Sequence, residues 1–178
     1  MNELAAVVLA AGKSTRFKSK LVKVLHPIAG VPMIRYTLDA LAGLGAGQAI
    51  LVLGQQADQV RAALGDLPLP LDTCLQSEQL GTGHALLQAR PLLEGGCRTV
   101  MCLYGDMPLL SAATLRRLHE RHLQTGATLT LLTVTSPDSM QFGRIVRNSA
   151  GRVTAIVEED QATPEQLGIR ELNVGVYC

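Results

Sequence analysis

The sequence predicts an α/β domain built on a mostly parallel, doubly wound sheet with short antiparallel additions. Three observations lead there. Ala5 to Ala11 is an unbroken small and apolar run ending at Gly12, as suits a strand buried on both faces. Strand-like and helix-like segments alternate through the first two thirds of the chain. The last third instead carries β-rich runs around a turn sequence, Asn148-Ser149-Ala150-Gly151.

Each element has its own warrant. After the first strand, Gly30 to Leu44 carries Ile34, Leu38, Leu41 and Leu44 at helical spacing, with Pro32 suited to the first turn. Gly45-Ala46-Gly47 stops that helix, and Gln48 to Leu53 is a second buried strand. Asp58 to Leu64 is a short helix with Val60, Ala63 and Leu64 inward; Leu69 to Leu75 is a third strand with Gln76 at its exit. Gly81 opens a helix expected to run to about Leu93, and Arg98 to Leu103 is a strand ending in Tyr104-Gly105-Asp106. Ser111 caps a helix with Leu115, Leu118 and His122 on one face. Thr128 to Thr135 is a strand, Arg144 to Arg147 and Arg152 to Val157 form a hairpin, Thr163 caps a short helix, and Leu172 to Tyr177 is the last strand.

Composition narrows the function. Apolar residues make up 47% of the 178, and only 3% are aromatic, so the core is aliphatic. A formal charge of +1 supplies no global field for nucleic acid or an anionic membrane, so phosphate binding must come from local grouping. The four cysteines show no C-x-x-C spacing, which favours a reducing cytoplasm and disfavours zinc. No secretory signal or membrane span is expected.

The local grouping is Leu9-Ala10-Ala11-Gly12-Lys13-Ser14-Thr15-Arg16, then Lys23-Val24-Leu25-His26. A glycine, hydroxyls and cations at a strand's carboxyl end suit a polyphosphate. A Walker loop fails because Val7 stands where its first glycine belongs; a dinucleotide fingerprint fails at Ser14 and Phe17. On composition alone the stretch reads equally as a solvated basic loop, Gln76 as an exposed loop residue, Asp106 as a turn aspartate, and Glu158-Glu159-Asp160 as a surface acidic run. His26, His119 and His122 show no metal-ligand spacing.

Taken together, Leu9-Ala10-Ala11-Gly12-x-x-Thr15-Arg16 with Lys23 resembles the signature of sugar-nucleotide pyrophosphorylases. The ordered set Gln79-Leu80-Gly81-Thr82-Gly83-His84-Ala85, Tyr104-Gly105-Asp106-x-Pro108-Leu109, Gly143-Arg144-Ile145, Ile156-Val157-Glu158 and Glu171-x-Asn173-x-Gly175 resembles one subfamily. That subfamily is the uridyltransferase half of the bifunctional N-acetylglucosamine-1-phosphate uridyltransferases and glucosamine-1-phosphate acetyltransferases. The resemblance implies a Rossmann-like nucleotidyltransferase fold. It also implies Mg²⁺-dependent formation of UDP-N-acetylglucosamine and pyrophosphate from UTP and N-acetylglucosamine 1-phosphate.

By that resemblance Arg16 and Lys23 are catalytic. Leu9, Ala10, Ala11, Gly12, Lys23, Gln76, Gly81, Thr82, Tyr104, Gly105 and Asp106 face the nucleotide, with Asp106 the metal ligand, and Gly143, Glu158 and Asn173 face the sugar. Lys13 and Lys18 are expected to face solvent, and His84 to be structural, since a phosphate nucleophile is already ionised and needs no base. Ser14 replaces a glycine and Val22 a proline usual in the family. The run Leu172 to Cys178 ends without a turn, which reads as a cut. On that reading the domain lacks a second metal-ligating asparagine and the trimerising β-helix acetyltransferase domain. The expected parent is then a homotrimer and this piece a monomer.

Overall fold

A computed structural model describes residues 3–12, 19, 21–94, 96–138 and 140–178. Strand β1 (Leu4–Ala10) is buried along its whole length. A two-residue hairpin, β2 (Pro27–Ile28) and β3 (Val31–Pro32), turns through Ala29 and Gly30, both at positive φ (49° and 84°). That is the handedness a tight hairpin needs, and it follows no alternating pattern that the sequence displays. Pro32 then serves as N-cap of α1 (Met33–Leu44), one position earlier than its expected place in the first turn; Gly45 closes the helix in the left-handed conformation at φ 88°.

Strand β4 (Gln48–Leu53) has the expected bounds. Helix α2 (Ala57–Leu64) buries Ala57, Val60 and Leu64. Ala63 is exposed rather than inward, because 57, 60 and 64 share one face at 3.6 residues per turn and 63 falls off it. Strand β5 (Leu71–Leu75) is followed by α3 (Thr82–Gln88) and α4 (Arg90–Leu93), where one helix to Leu93 was expected. Pro91 explains the break, since it has no N–H to donate to the Leu87 carbonyl.

Strand β6 (Thr99–Tyr104) leads to α5 (Ala112–Thr125), whose Ser111 cap accepts the Thr114 N–H. Then come β7 (Leu131–Thr135), β8 (Gly143–Arg147), β9 (Val153–Val157), α6 (Pro164–Leu167) with its Thr163–Gln166 capping box, and β10 (Glu171–Tyr177).

The main sheet has the order β5-β4-β1-β6-β10-β8-β9, with β7 also paired to β10. Strands β5, β4, β1 and β6 are mutually parallel, whereas β10 joins β6, β7 and β8 antiparallel, as does β9 with β8. Alternate residues of β1 enter different cores. Leu4, Ala6 and Val8 meet Ile34, Leu38 and Leu41 of α1 and Leu115 and Leu118 of α5. Val7 and Leu9 meet Ala85 and Ala89 on the other face. Helices thus cover both sides of the parallel half, and every chemistry-bearing residue it carries has to emerge at a strand end.

Candidate active site

The carboxyl ends of β1 and β6 lie side by side, Leu9 opposite Tyr104. Beyond them the Gly105 N–H donates to Leu9 O at 3.0 Å, holding the turn into Asp106 against the first strand. Leu9, Ala10 and Ala11 are buried, so they can shape the floor through backbone, and no described residue lies within 4 Å of a Cβ built on Gly12. Lys13, Ser14, Thr15, Arg16 and Lys18 lie outside the described residues.

Lys23 opens a single 3-10 turn, Lys23–Leu25, whose Val24 and Leu25 are buried in the core. Anchored by those neighbours, the Lys23 ammonium reaches across and forms an ion pair with Asp106 Oδ2. The two are far apart in sequence; core packing of the Lys23–Leu25 turn and the position of β6 beside β1 bring them together. Their side chains are 36% and 28% exposed, so a bound phosphate could reach both. Val22, just before the turn, has φ −56° and ψ 137°, within the range a proline ring imposes, so valine holds the joint that proline would make rigid.

On the other side of β1, the backbone N–H of Gln76 donates to Leu53 O at 2.8 Å, prolonging the β4–β5 ladder by one residue. Gln76 is 5% exposed, so it is no solvated loop residue. Its Nε2 lies 3.2 Å from Gly81 O and 3.1 Å from His84 Nδ1. Gly81 caps α3 at φ 101°, a conformation open to glycine alone at little cost. Gln79 Nε2 donates to Ala11 O at 2.5 Å, tying this loop to the end of β1, and Thr82 Oγ1 lies 3.2 Å from Tyr104 Oη.

A second group forms where the antiparallel half begins. Asn173 of β10 lies in register with Gly143 of β8. A Cβ on Gly143 would sit 3.1 Å from Glu158 Oε1, so these three positions are neighbours. Asn173 Nδ2 donates to Tyr177 Oη at 2.8 Å and Asn173 Oδ1 accepts the Gly175 N–H at 3.2 Å. Burial raises the Tyr177 hydroxyl pKa above its ordinary value, Asn173 opposes that, and Tyr104, Cys102 and Glu158 reinforce it. Tyr104 therefore touches both groups, meeting Thr82 through its hydroxyl and packing its ring over Gly175.

A family model described as the MobA-like NTP transferase domain matches residues 6–163. The chain belongs to that family. It is 52% identical over 178 residues to the bifunctional protein GlmU of Heliobacterium modesticaldum, covering 100% of this chain and 38% of that relative. Against the bifunctional protein GlmU of Brevibacillus brevis it is 48% identical over 178 residues, with the same coverage of 100% and 38%. The chain thus spans less than half the length of these curated relatives. The crystal structure of HddC from Yersinia pseudotuberculosis complexed with GMP-PN superposes with a TM-score of 0.73 at 22% identity, covering 99% of this chain and 76% of that one. This structural likeness reports the shared transferase fold.

In this NTP transferase domain the structure brings together Lys23 with Asp106, Gln76 with Gly81, Thr82 with Tyr104, and Gly143 with Glu158 and Asn173. Two supports escaped the sequence reading. Tyr177 holds Asn173 and has no signal beyond its place at the end of the last strand. Arg144, 1% exposed, donates from Nη1 to Met140 O and Phe142 O and so braces the approach to Gly143. A charged residue in a strand gives no warning of such burial.

Among the described residues no three His, Cys, Asp or Glu side chains converge as a metal cage. The lone Asp106 carboxylate fits Mg²⁺ carried on phosphates, which keeps several waters and takes one or two protein carboxylates. Among the described residues no helix is long and apolar enough to cross a membrane.

Proposed function

We propose that the chain carries the uridyltransferase chemistry that its motifs imply, joining N-acetylglucosamine 1-phosphate to UTP with release of pyrophosphate. The observation that carries this reading is the convergence of Lys23 and Asp106 at the adjoining ends of β1 and β6, with Gln76 and Tyr104 on either side. A phosphate oxygen of the sugar forms a bond to the α-phosphorus, the bond from that phosphorus to the bridging oxygen breaks, and its electron pair leaves with pyrophosphate.

Each residue then has a task. Lys23, with Arg16 by resemblance, offsets charge gathering on the α-phosphate and leaving group, an effect whose removal costs on the order of 10²-fold or more in rate. Asp106 would hold Mg²⁺, which when bound would supply neutralisation of phosphate charge. Gln76 and the backbone at Gly81 read the base, and Thr82 and Tyr104 flank it. Glu158 and Asn173, with the space kept by Gly143, select the sugar's hydroxyls and acetamido group, since an analogue lacking them leaves buried polar groups unpaired. The cysteines are free, which supports a reducing cytoplasm.

The test pairs calorimetry with a pyrophosphate-release assay. The wild-type chain should bind UTP in the presence of Mg²⁺ and release pyrophosphate when the sugar phosphate is added. Asp106→Asn should remove the Mg²⁺ dependence of both. Magnesium dependence undiminished in Asp106→Asn would refute Asp106 as the metal ligand, and calorimetric binding of UDP-N-acetylglucosamine without turnover by the wild type would make the chain a nucleotide-sugar binding module.

A further inference from the structure

We propose that His84 is the positioning residue that sets base selectivity, by locking the Gln76 amide so that it offers an acceptor to the nucleotide. This deepens the uridine reading above and rests on it.

The argument begins with an ambiguity. A glutamine amide turned by half a rotation exchanges donor for acceptor, so an unconstrained Gln76 would serve uracil, whose N3 carries hydrogen, and cytosine, whose N3 accepts, alike. Two neighbours remove that freedom. Gly81 O, 3.2 Å away, can only accept, so the end of the amide facing it must be Nε2. The same nitrogen lies 3.1 Å from His84 Nδ1, and its remaining hydrogen points there only if Nδ1 is the unprotonated nitrogen of the ring. His84 is thereby assigned the tautomer with hydrogen on Nε2. That nitrogen faces Gln88 Nε2 at 3.2 Å, and Gln88 Nε2 also donates to His84 O at 3.2 Å. A hydrogen on His84 Nε2 therefore requires the Gln88 amide to turn and give up that backbone bond; Gln88 is the less buried of the two glutamines and is the one that yields.

With both Nε2 hydrogens committed inward, Gln76 Oε1, which takes no hydrogen bond from the described residues, is the group left for the base. An acceptor there pairs with the N3–H of uracil and opposes the lone pair of cytosine. Gly81 O alone leaves one of two hydrogens unplaced, and the amide can then swing. His84 supplies the second restraint, and α3 holds it there, beginning at Thr82 and burying the adjacent Ala85.

Calorimetry with UTP and CTP on the whole chain, with Mg²⁺, tests this in His84→Leu and His84→Asn. Leucine removes the acceptor and should lower the UTP-to-CTP preference by about tenfold, the worth of one hydrogen bond of about 1.4 kcal/mol. Asparagine can place Oδ1 near the lost Nδ1 and should restore most of the preference. If leucine keeps the wild-type ratio, the proposal falls, whatever happens to overall affinity. Nitrogen-15 NMR of the wild type needs no variant to fold: an unprotonated Nδ1 supports the assignment, and hydrogen on Nδ1 overturns it. A wild type that shows no preference for UTP would sink the uridine reading itself, a different outcome from an unchanged ratio in the leucine variant.

Discussion

Gly175→Ala tests whether the two halves of the site are physically joined at Tyr104. Gly175 sits at φ 74° within an irregularity of the β10–β7 pairing between Asn173 and Val176. A Cβ built there would lie 2.2 Å from Tyr104 Cε2 and 3.1 Å from Cδ2. Ordinary carbon contacts begin near 3.5 Å, so the ring must retreat by more than about 1 Å. Its hydroxyl then loses the 3.2 Å contact with Thr82 Oγ1.

Two costs add in that variant. The left-handed backbone costs an L-residue roughly 1–2 kcal/mol, and overpacking costs about 1–3 kcal/mol more. At roughly 2–4 °C per kcal/mol for a domain of this size, the thermal midpoint should drop by about 10 °C. Gly126→Ala is the control, since its φ is 59° but no described residue lies within 4 Å of the new Cβ, so it bears the backbone cost alone. Repeating Gly175→Ala in a Tyr104→Ala background should recover about 1–3 kcal/mol, read by calorimetric unfolding of all four proteins of the cycle. Equal losses in Gly175→Ala and Gly126→Ala, or a cycle with no coupling, would refute the contact argument.

Two further outcomes follow from titrating groups. The Arg147 guanidinium, foremost, and the Thr133 hydroxyl hold the Glu171 carboxyl below its ordinary 4.5 against an opposing effect of burial, so the pair's stability is whole above that pH and drains as pH falls through the lower folded value. Glu171→Gln should flatten the acid limb of the stability curve by less than about 1 kcal/mol, the scale of an exposed pair; an unaltered limb would count against the pairing. Burial pushes the Cys102 thiol up to about 12 and the Cys178 thiol up to about 11. Burial also raises the half-buried Cys74 thiol, by a smaller amount, so in the folded chain iodoacetamide at pH 8 should modify Cys74 ahead of Cys102 and Cys178, with mass spectrometry after digestion locating the label.

What was legible in the sequence had local causes. The β1 run, the Ile34-Leu38-Leu41 stripe, the Ser111 cap and the turn at Asn148 to Gly151 each depend on residues within a few positions of one another, and each formed as expected. The break at Ala89 was also written locally, in Pro91, though the apolar run of α3 and α4 masks it. The hairpin at Ala29-Gly30 was not, because two-residue strands are too short to show a period and alanine at φ 49° violates its own preference. Strand-end placement marked Gln76 and Asp106 as exposed to chemistry. It could not reveal that Gln76 is anchored by His84 or that Asp106 meets Lys23, since those pairings follow from packing and sheet order rather than from any spacing.

The sheet's change of direction gives a physical reason for that layout. Parallel strands β5, β4, β1 and β6 all end at one edge, so Gln76, Gly12 and Asp106 emerge together there and can follow one extended nucleotide. A fifth parallel strand would send its next residues to the same edge and leave the second substrate no separate wall. Strand β10 instead runs antiparallel to β6, with Tyr177 opposite Cys102, so its interior residues Asn173 and Gly175 pass the end of β6. On the proposed assignment the nucleotide lies along the parallel edge and the sugar against the antiparallel wall. Their phosphates must then meet at the one seam between them, where Tyr104 stands and where Asp106 follows it by two residues.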